Sequence, residues 1–117
     1  MIEISIYKEV AEDIKRKIIS GKYDPGQQLQ SILSLAELYN VNKNTVQMAL
    51  VNLREEELVI TVRGKGNFVT DSIEKIELIK ECEKRRRYEE FLRAMSKLGY
   101  NDKSIQAEIE VHLKRHG

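Results

Sequence analysis

The sequence predicts a mainly α fold with one small β-hairpin, and three observations carry that expectation. Apolar residues recur at helical spacing through most of the chain. One proline and six glycines in 117 residues leave those runs long. A single stretch, Leu58-Val59-Ile60-Thr61-Val62, is β-branched enough for a strand, and a glycine turn and a second short run follow it.

At this length the chain is one domain, or a small domain with an appendage, and its core is thin. A charged fraction of 33% fits a soluble helical protein, and no apolar run approaches the length of a membrane span. The start, Met1-Ile2-Glu3-Ile4, lacks the basic region of a signal peptide, so the protein is expected in the cytoplasm. Cys82 is the only cysteine, which excludes an intrachain disulfide and a cysteine-cluster metal site. It falls on the apolar side of a predicted helix and reads as a buried, inert thiol.

Residues 5–20 form the first expected helix, with Ile6, Val10, Ile14 and Ile18 four apart on one face and Tyr7, Ala11 and Ile19 widening it. Gly21 stops it, and Lys22-Tyr23-Asp24-Pro25-Gly26 is a turn. Gln28 and Leu29 are briefly extended. Ser31 then caps a helix carrying Leu35, Ala36 and Tyr39. Asn42 caps the next, whose stripe is Val46, Ala49, Leu50 and Leu53. The turn between them, Tyr39-Asn40-Val41-Asn42, is so short that the two helices must cross steeply. That is a helix-turn-helix, whose second helix can lie in a major groove of DNA.

Lys43, Asn44, Gln47 and, near the helix start, Thr45 are expected to point away from the second stripe. Amides and hydroxyls gathered at this end suit base edges and phosphates better than the alternating Glu and Lys of a bland solvated face. The strand Leu58 to Val62, the basic loop Arg63-Gly64-Lys65-Gly66 and the strand Asn67-Phe68-Val69-Thr70 follow. A hairpin directly after a helix-turn-helix is the wing of a winged helix. Its glycines would let the backbone approach DNA, while Arg63 and Lys65 reach phosphates or the minor groove. A merely structural turn is the alternative. A nucleotide-cradling loop is a poor reading, because the Lys-Ser/Thr ending and the following helix are absent.

Ser72 can cap a long helix bearing Ile73, Ile76, Ile79, Cys82, Tyr88, Phe91, Leu92, Met95 and Leu98, stopped by Gly99. As one helix this stretch would extend about 40 Å at about 1.5 Å per residue. Lys84-Arg85-Arg86-Arg87 interrupts its apolar stripe and leaves room for a bend or break. Asn101 or Asp102 caps a last helix with Ile105, Ile109 and Leu113 four apart. A chain this small can hardly bury these faces alone, so a twofold dimer is expected, built on Ile76, Ile79, Phe91, Leu92, Met95, Leu98, Ile105, Ile109 and Leu113. Residues 1–70 thus read as a winged helix-turn-helix domain and residues 71–117 as a helical dimerisation region.

Other constellations are weaker. Glu108, His112 and His116 share a face at four-residue spacing, but histidines at a helix end more often sit solvated, and a metal would need further ligands from elsewhere. No metal site and no cofactor are therefore expected. Arg85-Arg86-Arg87 is flanked by Glu81, Glu83, Glu89 and Glu90 and reads as a solvated face rather than a separate site. No serine-histidine-acid or cysteine-histidine set supports an enzyme.

In order and content, Ile6-Tyr7, Ile19-Ser20-Gly21, Pro25-Gly26 before Leu29, Ser31 with Leu35-Ala36, Asn44-Thr45-Val46 with Ala49-Leu50, Leu53, and Gly64-Lys65-Gly66-Asn67-Phe68-Val69 resemble the GntR family of bacterial transcription regulators. The match covers residues 5–70, and the short two-helix tail is similar to the YtrA-type branch. The resemblance implies a dimeric repressor on a palindromic operator, with DNA contacts at Ser31, Lys43, Asn44, Thr45, Gln47, Gly64, Lys65 and Gly66. With Asn42 and Arg63 these make the candidate DNA-binding set. Gln30 replaces the family's proline, and Leu33 and Gln47 replace arginines. Each lost guanidinium removes a bidentate contact worth about 1 to 3 kcal/mol of discrimination. Gln47 can pair with adenine instead, so either a different, more A·T-rich operator or weaker binding is expected.

A net charge of only +1 means that a DNA binder must concentrate its positive residues locally. The rival reading is a winged-helix module that docks a protein partner through its helical arm. A small-molecule effector, if one exists, would bind at the junction of wing and arm or between two arms.

Overall fold

The computed structural model describes residues 2–116, so the Met1 end of the signal-peptide reading lies outside it. The chain runs α1 (Ile2–Ile19), α2 (Ile32–Tyr39), α3 (Lys43–Glu55), β1 (Val59–Val62), β2 (Gly66–Val69), α4 (Ile73–Lys97) and α5 (Asp102–His116). It is mostly helical with one two-stranded antiparallel hairpin, as the periodicity predicts. Two compact units divide it, one through Lys80 and one from Glu81.

In the first unit α1 buries Val10, Ala11, Ile14 and Ile18, chiefly against α3. From the other side come Leu35 and Ala36 of α2 and Val46, Ala49, Leu50 and Leu53 of α3. Leu58, Val59 and Val69 close the core under the hairpin. The stripes are those expected, because residues three and four apart in a helix share one face. β1 and β2 pair with Val59 opposite Val69 and Val62 opposite Gly66. The extended segment at Gln28 and Leu29 becomes a short third partner: Gln28 bridges Phe68, the Leu29 amide donates to the Asn67 carbonyl at 2.8 Å, and the Val69 amide donates to the Gln27 carbonyl at 2.8 Å. β2 is therefore held on both sides.

Ile76 is buried in this same core, and Ile79 packs against it. That corrects two of the expected dimer residues, since the start of α4 covers the winged helix of its own chain. It also explains why compactness divides the chain about ten residues later than the sequence reading does.

In the second unit α4 continues and α5 follows after Gly99, whose φ of 95° suits glycine. The Asn101 side chain accepts from the Ser104 amide at 3.0 Å and caps α5. Ile105 is buried here, at 4% exposure, a third correction to the expected dimer set. Cys82 is exposed rather than buried, because no element of its unit covers that side of α4. The basic run does not break the helix. Arg86 lies between Glu83 at 2.6 Å and Glu90 at 3.0 Å, and Lys84 meets Glu81 at 2.8 Å. Residues with good helix propensity, paired one turn apart, keep a polar stretch helical.

Candidate nucleic-acid interface

The interface starts with the turn between α2 and α3. Ser31 caps α2, its hydroxyl oxygen accepting from the Ser34 amide at 3.1 Å. Asn40 ends that helix in the left-handed region, φ 54°, where asparagine is among the few residues that sit readily. Asn42 caps α3, its side-chain oxygen accepting from the Thr45 amide at 2.9 Å and the Thr45 hydroxyl at 3.1 Å. Both helix starts are thus fixed by side chains, and the turn contains only the residues between two caps.

A polar cluster ties this turn to α1. The Tyr39 hydroxyl donates to Asp13 at 2.6 Å, the Lys17 ammonium donates to the Tyr39 oxygen at 3.2 Å, and Lys17 also meets Asp13 at 3.1 Å. Burial, then the bond to Asp13, pushes the Tyr39 phenol up to about 12. The Tyr39 bond, ahead of the Lys17 charge, holds the Asp13 carboxyl below its usual range. Lys15 reaches Glu56 just past α3 at 2.8 Å. These charge-assisted bonds anchor the turn and the end of α3 to α1. Pattern reading missed them, because Asp13 and Lys17 look like an ordinary pair one turn apart.

Lys43, Asn44 and Gln47 are exposed on α3 and make no side-chain hydrogen bond or ion pair among the described residues. Thr45 does not join them. It is only 5% exposed and its hydroxyl is bound to Asn42, which corrects the expectation that it points outward. The cause is its place beside the Val46, Ala49 and Leu53 stripe, where the cap draws the hydroxyl inward. Ser31 and Asn42 remain at the surface, with their oxygens engaged as caps.

Met48 and Val51, absent from the sequence reading, complete the outward face of α3. Each is 43% exposed, and with Asn44, Gln47 and Tyr7 of α1 they line an open cleft of about 400 Å³. Their spacing from Asn44 and Gln47 places them on that face.

At the wing, Arg63, Gly64 and Lys65 form the loop between the strands. Gly64 has φ 79°, and nothing lies near where its Cβ would be, so its glycine serves the backbone and leaves the tip open. Gly66 has φ 124°, and a Cβ there would come within 3.1 Å of the Gln28 amide nitrogen. That amide donates to the Lys65 carbonyl at 2.8 Å, so the basic loop is braced from the Gln28 side. Arg63 and Lys65 are exposed and form no ion pair among the described residues.

In the second unit Phe91, Met95, Ile105, Ile109, His112 and Leu113 line a mostly apolar groove of about 350 Å³. Phe91, Leu92, Leu98, Ile109 and Leu113 are all exposed. The His112 and His116 rings lie 4.4 Å apart, and among the described residues no group of three His, Cys, Asp or Glu could hold a metal ion. No described helix is long and apolar enough to cross a membrane.

A doubly capped helix pair joined by a short turn and followed by a braced hairpin defines a winged helix-turn-helix, a class built to present one helix to DNA. Residues 6–69 match the family described as "Bacterial regulatory proteins, gntR family", and the chain belongs to that family. Two relatives come from Bacillus subtilis strain 168. The uncharacterized HTH-type transcriptional regulator YhcF is 30% identical over 94 residues, 80% of this chain and 78% of that protein. The HTH-type transcriptional repressor YtrA is 31% identical over 67 residues, 57% of this chain and 52% of its own length.

Among solved structures, a GntR family transcriptional regulator from Listeria monocytogenes superposes with a TM-score of 0.86 at 36% identity, covering 90% of this chain and 92% of that one. The DNA-binding domain of AraR in complex with operator ORX1 gives a TM-score of 0.54 at 31% identity, covering 56% of this chain and 78% of that one. This protein is a DNA-binding transcriptional regulator by its family and fold.

Proposed function

We propose that the protein is a cytoplasmic repressor that occupies a palindromic operator as a homodimer, in the manner of the YtrA-type branch. The observation that carries this is the doubly capped helix pair with its hairpin, on which Lys43 at the start of α3 and Arg63 and Lys65 in the wing loop are exposed and form no ion pair among the described residues. A surface meant for phosphates needs its positive residues unneutralised. The AraR domain, bound to its operator, supports the same use of the shared fold.

Lys43, Arg63 and Lys65 supply phosphate affinity, and Asn44 and Gln47 supply base choice, Gln47 favouring adenine. Ser31, Asn42 and Thr45 set the position of the helices, and Gly64 and Gly66 shape the wing. The dimer face is Phe91, Leu92, Met95, Leu98, Ile109 and Leu113. No small-molecule effector is assigned, and the reading requires neither cofactor nor catalysis.

Selection of binding sites from random duplexes, with sedimentation of the protein alone and with the selected DNA, tests the reading. It should yield two inverted half-sites and a dimer. A monomer at micromolar concentration that stays monomeric on DNA would overturn the dimer. Failure to enrich any sequence would favour the rival, a module that docks a protein through its helical arm. Gln47→Arg should shift the selected base toward guanine at one position per half-site.

A further inference from the structure

We infer that Met48 is a specificity residue that reads the 5-methyl group of a thymine in the operator. The inference rests on the reading of α3 as the helix that enters the major groove. Asn44 and Met48 are one helical turn apart on the outward face, about 6 Å along the axis at about 1.5 Å per residue. Gln47 lies beside Met48, and all three line the same open cleft. The residues that bury α3 lie on its opposite side: Val46, Ala49, Leu50 and Leu53. Met48 therefore adds nothing to the core stripe, yet it holds an apolar thioether chain in solvent at 43% exposure.

In the major groove the thymine methyl is the apolar group that marks one base pair from another. Asn44 and Gln47 carry amides that fit the adenine edge, so the face offers adenine readers beside a methyl reader. A long unbranched side chain can follow a methyl through small differences in docking, which a β-branched residue at the same place could not do. Val51, the other apolar residue of the cleft, lies a further turn toward the C-terminal end of α3. The N-terminal residues of a recognition helix are those that meet bases.

The test replaces each thymine of the selected operator by uracil, which removes the methyl and keeps every hydrogen-bonding group. The full-length protein should lose about fourfold in affinity at one thymine position per half-site, the weight of roughly one buried methylene. Met48→Ala should bind the thymine and uracil duplexes equally, and Met48→Leu should restore the difference. Because Met48 stands outside the core, both variants should keep the melting temperature of the parent. Indifference of the parent to uracil at every position would overturn the assignment. So would a methyl effect that persists undiminished in Met48→Ala, which would place the contact on another side chain. If the parent selects no DNA at all, the DNA reading of α3 falls and this inference with it, a result distinct from selective binding without a methyl effect.

Discussion

The two compact units meet the problem of a thin core differently. The first buries residues from three helices, the hairpin and the start of α4 in one cluster. In the second, Ile105 alone is buried among the described residues, while Phe91, Leu92, Leu98, Ile109 and Leu113 stay open to solvent. The first unit closes on itself, so its stability belongs to a single chain. The second leaves apolar area exposed, and in the proposed dimer that area is covered by a second copy, so its stability should then depend on concentration.

The largest effect should come from the closed core. Leu53 is fully buried, and Leu53→Ala should cost about 2 to 5 kcal/mol, a large share of what a domain this small possesses. Thermal unfolding should show a melting temperature lowered by many degrees at every protein concentration. A shift of only a degree or two would mean that the first unit is looser than its packing indicates.

Second in size is the open face. If the proposed dimer forms on this groove, Phe91→Glu, which places a charge there, should leave the protein a monomer and weaken operator binding at least tenfold, while the first unit keeps its fold. Sedimentation and binding measured on the same sample check this. An unchanged dimer would move the contact surface away from the groove.

Smaller still is the effect expected at the proposed phosphate contacts. Lys43→Ala and Lys65→Ala should each reduce the slope of log affinity against log salt by about 1, without changing the preferred sequence. The braced wing sharpens this prediction, since Lys65 is held by its own carbonyl bond to Gln28 and not by an acid. A slope unchanged in both variants would remove these lysines from the interface.

The smallest effect concerns the tie between α1 and the turn. Tyr39 holds its proton to about 12 in the fold, whereas an unfolded tyrosine releases it near about 10. Between those values the folded chain binds more protons than the unfolded one, so stability is full below about pH 10 and falls as pH rises toward about 12. Tyr39→Phe should lose about 1 kcal/mol at neutral pH and should flatten part of that decline. Melting temperatures measured across the alkaline range decide it, and parallel curves for the two proteins would contradict the role given to Asp13 and Lys17.

Much of the fold was legible residue by residue. Ser31 and Asn42 announce helix starts because a side-chain oxygen can satisfy only nearby backbone donors. The Val46 to Leu53 stripe announces a buried face because helical spacing is local. The readings that failed did so where a non-local fact decided, and three show it. Thr45 turned inward to a cap, Ile76 was taken up by its own chain's core, and Cys82 stayed exposed where nothing covers it. Met48 went unnoticed for the converse reason. An apolar residue next to an apolar stripe looks like core until the packing shows which side it takes.

The sequence by itself therefore determined the order of elements, their caps and stops, the glycine wing and the family, since these depend on backbone chemistry within a few residues. Tertiary structure decided which side chains are left over once the core is filled. Asn44, Gln47 and Met48 are such a remainder on α3, and the Phe91 to Leu113 face is another on the helical tail. A surface is defined by what does not pack, and that requires the whole set of neighbours to be in place.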